Sequence, residues 1–452
     1  MSATTINIGP NGDTPAQDAC IQRAAEAAPP RRRGPRPVLR PWVRAQAINV
    51  TRHAAALRTF QRGEFGTAAA SPTAGHLDAV NQLIESLRCE MLKLSKHVTT
   101  AARAATSEPT TARLHTMLGY KERAHNSVRA IEKIWDFYFE LFGQRQSRFA
   151  DWLLSCDRIA LDCYQYAYLN VGIAKSVPQP PPFCYMRTGF SPATFRRRIP
   201  LRALGLRLNP FPLIQLPYHR LVNPWTLGAI LHEVSHNVQN DLDLAQVVPR
   251  RIAETLLRAG HGRFVATTWA RWNRELFADV CGLLYGGPGV IPSLMDVIGR
   301  GADTVVAFDP RGPHPTPFLR AFISIELLRR MGFTDEAARY RRMWLVMYPN
   351  ARRGTLPRPM LDTFEAANRA VVDAVCYQPY RELGNKTLAQ VLRFERKEQE
   401  MIEEAARRLA AGTDPGIVPE RFLIGAARFA FDNRLARPEI IMNNFYAELS
   451  RR

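Results

Sequence analysis

The stretch at residues 225–241, WTLGAILHEVSHNVQND, constrains the fold of this chain more than any other. At its centre is HEVSH, in which His232 and His236 are four residues apart and Glu233 lies between them. Residues four apart share one face of a helix, so both imidazoles can bind one metal ion while Glu233 projects beside it. Two histidines with an adjacent carboxylate are the arrangement of zinc hydrolases. The stretch therefore predicts a metal-binding helix.

The residues around the motif favour this helix. Asn223 is a suitable N-cap and Pro224 fits the first helical position. An apolar stripe follows, made of Leu227, Ile230, Leu231, Val234 and Val238. A chain of this length with 10 histidines should contain an HExxH by chance roughly once in a hundred. Because many chance matches would not fit a helix, we interpret this one as a metal site.

A third candidate ligand lies in the helix predicted at 264–284, which is terminated by the Gly-Gly-Pro at 286–288. Glu275 and Asp279 share a face of that helix, so Glu275 can be the third ligand with Asp279 behind it. The alternative is a pair of solvated surface carboxylates. The apolar neighbours predict a largely buried helix, and a buried carboxylate requires a partner. These neighbours are Leu276, Phe277, Val280 and Leu284.

The net charge of +20 and the pI of about 10.2 raise the question of nucleic-acid binding. Only seven of the 61 basic residues are lysines, and the arginines are scattered through every segment. The densest cluster, RRRGPR at 31–36, lies in a Pro-rich stretch, so we favour a compositional bias over a binding stripe. The length of 452 residues allows two or three domains, and 46% apolar residues are ordinary for a soluble globular protein.

The seven cysteines, from Cys20 to Cys376, include no CxxC. Several, such as Cys89 and Cys163, fall on apolar helical faces. This usage is typical of buried free thiols in a reducing compartment and not of disulfides or a cysteine zinc site. The N-terminal part lacks an apolar h-region, and no apolar run is long enough to span a membrane. These features predict a cytoplasmic protein.

The residue pattern divides the chain into four segments. Residues 1–72 are rich in Pro, Ala, Arg, Thr and Gly, and we expect them to be largely disordered, with one weak helix at 45–60. Residues 73–175 predict a helical hairpin or bundle, and residues 176–345 contain the metal helix. Residues 346–452 predict a helical C-terminal region.

Two long helices are predicted after residue 76. The first has apolar residues at spacings of three and four: Leu77, Val80, Ile84, Leu87, Met91, Leu94 and Val98. A turn around 107–109 leads to a second helix with a matching period. Because short connections make consecutive helices antiparallel neighbours, the pattern predicts an antiparallel hairpin, joined by a third helix at 149–171. Packing of the bundle core explains the apolar residues of these helices. The alternative is that the bundle binds a protein partner or a substrate.

The Pro-rich stretch 178–182 is the clearest boundary in the chain. After it, residues 183–188 and 211–218 are β-prone and bounded by Pro, Gly and Asn, so they predict strands of a small sheet that leads into the metal helix. An edge strand there would let a peptide add to the sheet and lie across the site.

Beyond the metal helix the pattern is helical to the C-terminus. Further helices are predicted at 250–257, 335–347, 360–376, 388–409 and 420–431. Another opens within the segment 314–320 and continues to residue 331. The charged run at 393–408 predicts a solvent face. The fold class is therefore mainly α with a small β-sheet (α+β).

Three motifs stand in order: HEVSH at 232–236, ELFAD at 275–279 and HPTPFLR at 314–320. Together they resemble the gluzincin metallopeptidases, and more narrowly the group of the CAAX prenyl endopeptidases, the heat-shock membrane peptidases and their soluble relatives. That group pairs HExxH with a downstream ExxAD and a later His-Pro followed by an arginine. The chain departs from it by lacking membrane helices and by its long helical segments on both sides. The resemblance implies a zincin-like catalytic domain over 176–345.

The resemblance also implies one zinc ion per chain, bound by His232, His236 and Glu275, with water in the fourth position. Glu233 would be the general base that takes a proton from this water and passes it to the leaving amine. Asp279 would accept a hydrogen bond from the non-metal nitrogen of a ligand histidine, His232.

The last motif supplies two further roles by resemblance. His314 would steady the oxyanion of the tetrahedral intermediate, and Arg320 would orient or neutralise a nearby carboxylate. Tyr218 and Tyr285 are weaker candidates for the oxyanion role. The other histidines near the metal helix in sequence are interpreted as surface residues: His219 and His261.

The sequence therefore predicts a zinc metallopeptidase, a hydrolase that acts on a peptide or protein substrate. One alternative is a catalytically silent zincin-like scaffold that binds a protein partner through the helical hairpin. The intact Glu233 argues against it, since a scaffold needs no general base. The other alternative is a basic nucleic-acid-binding protein, which a salt titration against duplex DNA would reveal because phosphate contacts give a steep salt dependence.

Overall fold

The computed structural model describes residues 39–349 and 354–452. Its α-helices are α1 Leu39–Ala56, α2 Ala74–Ser107, α3 Thr111–Gly143, α4 Ala150–Asn170, α5 Tyr218–Leu221, α6 Gly228–Asp241, α7 Leu244–Arg258, α8 Arg263–Arg271, α9 Asn273–Gly286, α10 Val290–Ile298, α11 Ala302–Val305, α12 Pro317–Arg330, α13 Thr334–Met347, α14 Arg358–Val372, α15 Leu388–Val391, α16 Arg396–Ala411, α17 Phe422–Asp432 and α18 Pro438–Arg451. Its strands are β1 Phe183–Arg187, β2 Ala193–Phe195, β3 Pro200–Leu201, β4 Arg207–Leu208, β5 Leu213–Pro217, β6 Pro379–Tyr380 and β7 Lys386–Thr387. The predicted class, mainly α with small sheets, is confirmed.

The described residues form two compact units, and the smaller one contains α1, residues 90–107 of α2 and residues 111–128 of α3. Its core joins α1 to both long helices through Val43, Val50, Val98, Ala102 and Met117. The weak helix predicted at 45–60 is present, but it begins at Leu39 and ends at Ala56. Its buried positions recur every three to four residues, which explains its extent. The first 38 residues of the segment expected to be disordered lie outside the described residues.

The larger unit contains residues 57–89 and 129–452. Residues 57–72 differ from the mobile segment that the sequence predicted. Phe60 and Phe65 are buried, and their rings contact Phe142. The side chain of Asn81 also bonds both backbone groups of Phe60, accepting from its N–H at 2.8 Å and donating to its carbonyl at 2.9 Å. Aromatic burial and these hydrogen bonds order a stretch whose composition alone suggested disorder.

The helices of the predicted hairpin are present as α2 and α3, joined by three residues, and the third predicted helix is α4. The free cysteines Cys156, Cys163, Cys184, Cys281 and Cys376 are buried, as the apolar faces predicted. Cys89 is exposed, so its predicted burial is wrong. It lies between Leu87 and Met91 on α2, on the side that points away from the apolar seam.

A three-stranded sheet with the order β1-β5-β2 precedes α6, the helix that contains the HExxH motif and was predicted to bind metal. The predicted strands are the parallel pair, in which Phe183 of β1 lies opposite Leu213 of β5. The sequence did not predict β2, which pairs antiparallel with β5 and forms one edge of the sheet. It has only three residues, too few to give a detectable alternation. The same reason applies to the two-residue ladders β3–β4 and β6–β7.

The start of the metal helix differs in detail from the prediction. Pro224 opens a short 3₁₀ turn, Pro224–Thr226, and α6 begins at Gly228. The side chain of Asn223 makes no capping bond; its amide donates to the carbonyl of His219 instead. The predicted apolar stripe of α6 is fully buried.

Two helices predicted as continuous are divided. The helix predicted at 264–284 forms α8 and α9, with the buried Trp272 between them. The helix predicted at 388–409 forms α15 and α16, because Leu392 and Phe394 turn into the core. The charged run on α16 is only half a solvent face, since Ile402 is buried. The C-terminal α18 was not predicted.

One stretch of the described residues, Asn273–Ile298, is long and apolar enough to cross a membrane by length and composition. Its apolar window is 78% buried inside the protein. The stretch comprises α9 and α10, which are core helices around the candidate site.

Candidate metal centre

The candidate centre lies where α6 and α9 pack against each other in opposite directions. His236 faces Glu275 near the start of α9, and one turn further along His232 faces Asp279. Gly286 permits this close packing, since a Cβ there would lie 2.6 Å from the Leu231 side chain. The antiparallel contact therefore brings the HExxH and ExxAD motifs together.

Three side chains direct donor atoms to one point. The Nε2 atoms of His232 and His236 are 3.1 Å apart, and each lies 3.5 Å from a carboxylate oxygen of Glu275. Ligand atoms in a tetrahedral zinc site, with bonds of about 2.0–2.1 Å, lie about 3.3 Å from one another. The three donors therefore have the spacing of a tetrahedral metal site and fit zinc in chemistry as well as in distance.

Asp279 and Arg320 hold the side chain of His232 in place. The Nδ1 of His232 donates a hydrogen bond to Asp279 at 2.8 Å, which is the contact that the sequence predicted. Because Nδ1 carries this proton, Nε2 can present its lone pair to a metal. Arg320 on α12 binds both oxygens of Asp279 at 2.6 and 2.9 Å and reaches Glu275 at 3.2 Å. The single positive charge of the arginine thus offsets part of the negative charge of two buried carboxylates.

The electrostatics of the cluster favour a cation. Burial opposes a charge on His232, but its hydrogen bonds to Asp279 and Glu275 outweigh this effect and raise its pKa to about 10. Burial, reinforced by His232, lowers the pKa of His236 to about 3. Burial also opposes the charge on Glu275, yet His232 and Arg320 hold the pKa of this carboxyl well below its usual range. A proton on His232 therefore supplies positive charge that a metal ion would replace.

Glu233 lies on α6 beside these donors and lines the same cleft. Only 5% of its surface is exposed. Burial raises its pKa to about 7, while the positive charge of His232 acts in the opposite direction. A carboxylate in this position can accept a proton from a molecule bound at the donor atoms.

His314 also lines the cleft, with its Nε2 3.5 Å from an oxygen of Glu275 and its side chain 64% exposed. His314 does not cap the helix that follows, because Thr316 occupies the N-cap position of α12. Neither Tyr218 nor Tyr285 lines the cleft; the first is exposed, and the second is buried on another face of α9. The remaining predicted surface histidines lie outside the cleft as well: His219 and His261.

The donors open onto a cleft of about 670 Å³. One wall is the edge strand β2, where Ala193 and Thr194 line the cavity. The Asn237 amide donates to the Thr194 hydroxyl at 2.6 Å and so fixes the edge strand to the metal helix. The sheet edge therefore lies alongside the candidate centre, as the β-augmentation hypothesis requires.

Several residues that line the cleft were not predicted from the sequence. Arg196, Gln239 and Arg274 line the cleft on one side, and Leu294 and Ile298 of α10 line it on another. Arg274 directly precedes Glu275 of the second motif, and this adjacency could have indicated that Arg274 lies near the cleft. No local pattern marks the others, because they reach the cleft only through tertiary packing.

No family model, curated protein or solved structure matches this chain. Any functional assignment therefore depends on its own residues and their geometry.

Proposed function

We propose that this chain is a zinc-dependent metallopeptidase with a zincin-like core, of the gluzincin type. One observation carries the proposal: the Nε2 atoms of His232 and His236 and the Glu275 carboxylate converge at tetrahedral spacing beside Glu233. A bound zinc ion would polarise a substrate carbonyl and lower the pKa of the water that it holds.

The residues of the chain have distinct roles in this proposal. Glu233 takes a proton from the attacking water and passes it to the leaving amine. Asp279 orients the ring of His232, and Arg320 offsets the charge of Asp279 and Glu275. His314, at the open side of the cluster, donates a hydrogen bond to the developing oxyanion.

A peptide substrate suits the form of the cleft. The strand β2 forms an edge of the sheet, where an extended peptide would add as a further strand. The carbonyl of Phe195 at its end already accepts from the Asn209 amide, so pairing would use Ala193 and Thr194. Such a peptide would pass beside His232 and Glu233, because β2 and these residues line one cleft. Backbone pairing would supply affinity without selecting particular side chains.

The proposal is tested by metal content and peptide cleavage in three proteins. The wild type and Glu233→Gln should each contain one zinc ion per chain by elemental analysis, and His236→Ala should lose most of it. Cleavage of a mixed peptide library, followed by mass spectrometry, should fall at least about 10²-fold in Glu233→Gln, because the amide cannot accept the proton. His219→Ala changes an exposed histidine outside the cleft and should match the wild type.

Equal zinc in the wild type and His236→Ala would remove the proposed metal site. Bound zinc with no cleavage by the wild type would favour the silent scaffold. Loss of zinc or early melting in Glu233→Gln would assign Glu233 a structural role.

A further inference from the structure

The cleft changes character along the two helices that form its floor. Because α6 and α9 run antiparallel, Gly228 of α6 and Leu283 of α9 lie at one end, and Gln239 of α6 and Arg274 of α9 lie at the other. The first end is extended by apolar side chains of α10. The second end is polar and adjoins the strand β2. The metal donors lie between these two ends.

Two arginines occupy the polar end. Arg196 directly follows β2 and is half-buried, and Arg274 lies in the first turn of α9. Both side chains line the same cleft. Burial lowers the pKa of Arg196 and the positive charge of Arg274 lowers it further, while the charge of Asp241 acts in the opposite direction. Two like charges that line one cleft are both stabilised when an anion binds beside them.

Neither of these arginines makes an ion pair with a carboxylate in the part of the chain that the structure describes. Arg320, in contrast, binds two carboxylates in the same cleft. The charge of Asp241 acts on Arg196, but the oxygens of Asp241 accept their hydrogen bonds from Tyr164 and Asn240. Asp241 therefore offsets part of the charge of Arg196 from a distance, and no carboxylate of the described residues binds either guanidinium directly.

The segment that forms this side of the cleft is rich in basic residues. Residues 163–232 contain no Asp or Glu but include eight basic residues: Lys175, Arg187, Arg196, Arg197, Arg198, Arg202, Arg207 and Arg220. This segment builds the whole three-stranded sheet, including the edge strand beside the cleft. Lys175 pairs with Asp243 and Arg187 with Glu140, whereas the other six make no ion pair in the described residues. An excess of positive charge on this side attracts anionic ligands and raises their local concentration.

We propose that Arg196 and Arg274 form a subsite that binds a carboxylate of the peptide substrate on one side of the metal centre. The identity of the ligand as a peptide rests on the proposed function. The carboxylate belongs either to an acidic side chain or to the C-terminus of the peptide, and both bind guanidinium through the same charge-assisted hydrogen bonds.

A single carboxylate fits this end of the cleft better than a nucleic acid does. Asp309 lines the same cleft without an ion pair in the described residues, and a phosphate backbone that passed through the cleft would meet its negative charge. Nucleic acids also bind through rows of cations that follow several phosphates, whereas this subsite contains one pair.

The test measures peptide retention and needs no turnover. The zinc-loaded Glu233→Gln protein is immobilised and offered pools of random octapeptides that differ only in a fixed central Glu or Gln. Each pool is prepared with a free C-terminal carboxylate and with an amide. We expect the Glu pool or the free-carboxylate pool to be retained about 10-fold better than its neutral counterpart, the size of one charge-assisted hydrogen bond. The pool that shows the preference identifies the source of the carboxylate.

Added Arg274→Gln and Arg196→Gln substitutions should each bring this ratio close to one. Arg274 is exposed, so its replacement leaves the fold intact. Arg263→Gln makes the same charge change at an exposed position outside the cleft and should keep the preference.

Equal retention of charged and neutral pools, including no retention of either, would overturn the subsite. A preference that survives both arginine changes would also overturn it. An oligonucleotide that displaces the peptides and depends on the same arginines would assign the surface to nucleic acid instead. Absence of the preference in the Glu233→Gln protein, when the wild type binds zinc and cleaves peptides, rejects the subsite alone. Absence of zinc and cleavage in the wild type rejects the proposed function.

Discussion

At the scale of single residues, the candidate centre is a chain of contacts that begins at Arg320. The guanidinium binds Asp279, Asp279 binds Nδ1 of His232, and Nε2 of His232 faces His236. Each contact fixes the next group in direction and in protonation state. The geometry of the donors is therefore set by residues that would not touch a metal ion themselves.

Replacing Asp279 with Asn should weaken zinc binding by about 10- to 100-fold, because the ring of His232 loses its charged partner. The affinity is measured by competition with a chelator at low temperature, where the protein stays folded. The variant should also be less stable, since Arg320 then keeps only Glu275 as a partner.

Asp157→Asn is the matched control for this experiment. Asp157 pairs with the buried Arg145 at 2.8 Å and lies outside the cleft. It should lower the melting temperature without changing zinc affinity. Unchanged zinc affinity in Asp279→Asn would mean that the His232 contact is structural only.

Replacing His314 with Ala should lower kcat and kcat/KM together by about 10²- to 10³-fold with little change in KM, as expected for a group that acts in the transition state. The melting temperature should stay constant, because this side chain is largely exposed and Thr316 holds the N-cap position. His261→Ala provides a control outside the cleft. Normal turnover in His314→Ala would exclude the oxyanion role.

At the scale of elements, the packing of α9 and its end at Gly287 position the second motif. The φ and ψ angles of Gly287 are 68° and −160°, a region that is essentially restricted to glycine. A Cβ at this position would lie 2.1 Å from the ring of Phe394. The chain can thus leave α9 and enter α10 without displacing the aromatic side chain packed there.

Gly287→Ala should therefore reduce the free energy of unfolding by about 2–4 kcal/mol, the sum of backbone strain and overpacking. Gly260→Ala is the matched control, because Gly260 also has a positive φ, 82°, but nothing lies within 4 Å of its added Cβ. It should cost only about 1 kcal/mol. Denaturant unfolding measures both values. Equal decreases in the free energy of unfolding would show that the ring of Phe394 moves aside without an energetic penalty.

At the scale of the whole molecule, a buried histidine connects the start of α2 with the segment between α4 and β1. His76 at the start of α2 is only 3% exposed and reaches the carbonyl of Pro181 at 3.0 Å through Nε2. Since a carbonyl only accepts, Nε2 donates, and Nδ1 accepts from the hydroxyl of Thr73 at 2.8 Å. The neutral ring satisfies both partners.

This contact predicts a pH dependence of stability. Burial lowers the pKa of His76, the Pro181 carbonyl and Asp157 oppose the shift, and Arg145 and Arg197 add to it. The unfolded chain therefore binds a proton near pH 6.5 that the folded chain does not bind until lower pH. Stability is complete above about pH 6.5 and falls, by up to about 1.4 kcal/mol per pH unit, as the pH decreases toward the folded pKa.

The comparison of wild type with His76→Gln isolates this term. The glutamine protein lacks the titrating group. As the pH is lowered from 7.5 to 5, the unfolding free energy of the wild type should therefore decrease relative to that of the variant. Urea unfolding followed by tryptophan fluorescence provides the measurement. A difference that stays constant over this range would contradict the prediction.

The sequence by itself determined the groups that lie close along one helix. The helical period fixes His232, Glu233 and His236 relative to one another, and it fixes Glu275 relative to Asp279. Apolar periodicity likewise predicted the long helices and the buried stripe of α6, since burial of an apolar face follows from local spacing. Elements with too few residues for a period, such as β2, could not be predicted.

Only the tertiary structure decided which of these local groups meet. Arg320 lies 41 residues beyond Asp279, and the contact exists because α12 packs beside α9. Arg196 and Arg274 come together because a sheet edge and the start of a helix share one cleft. No local period relates such positions, since their separation depends on the packing of whole elements and on burial summed over many residues.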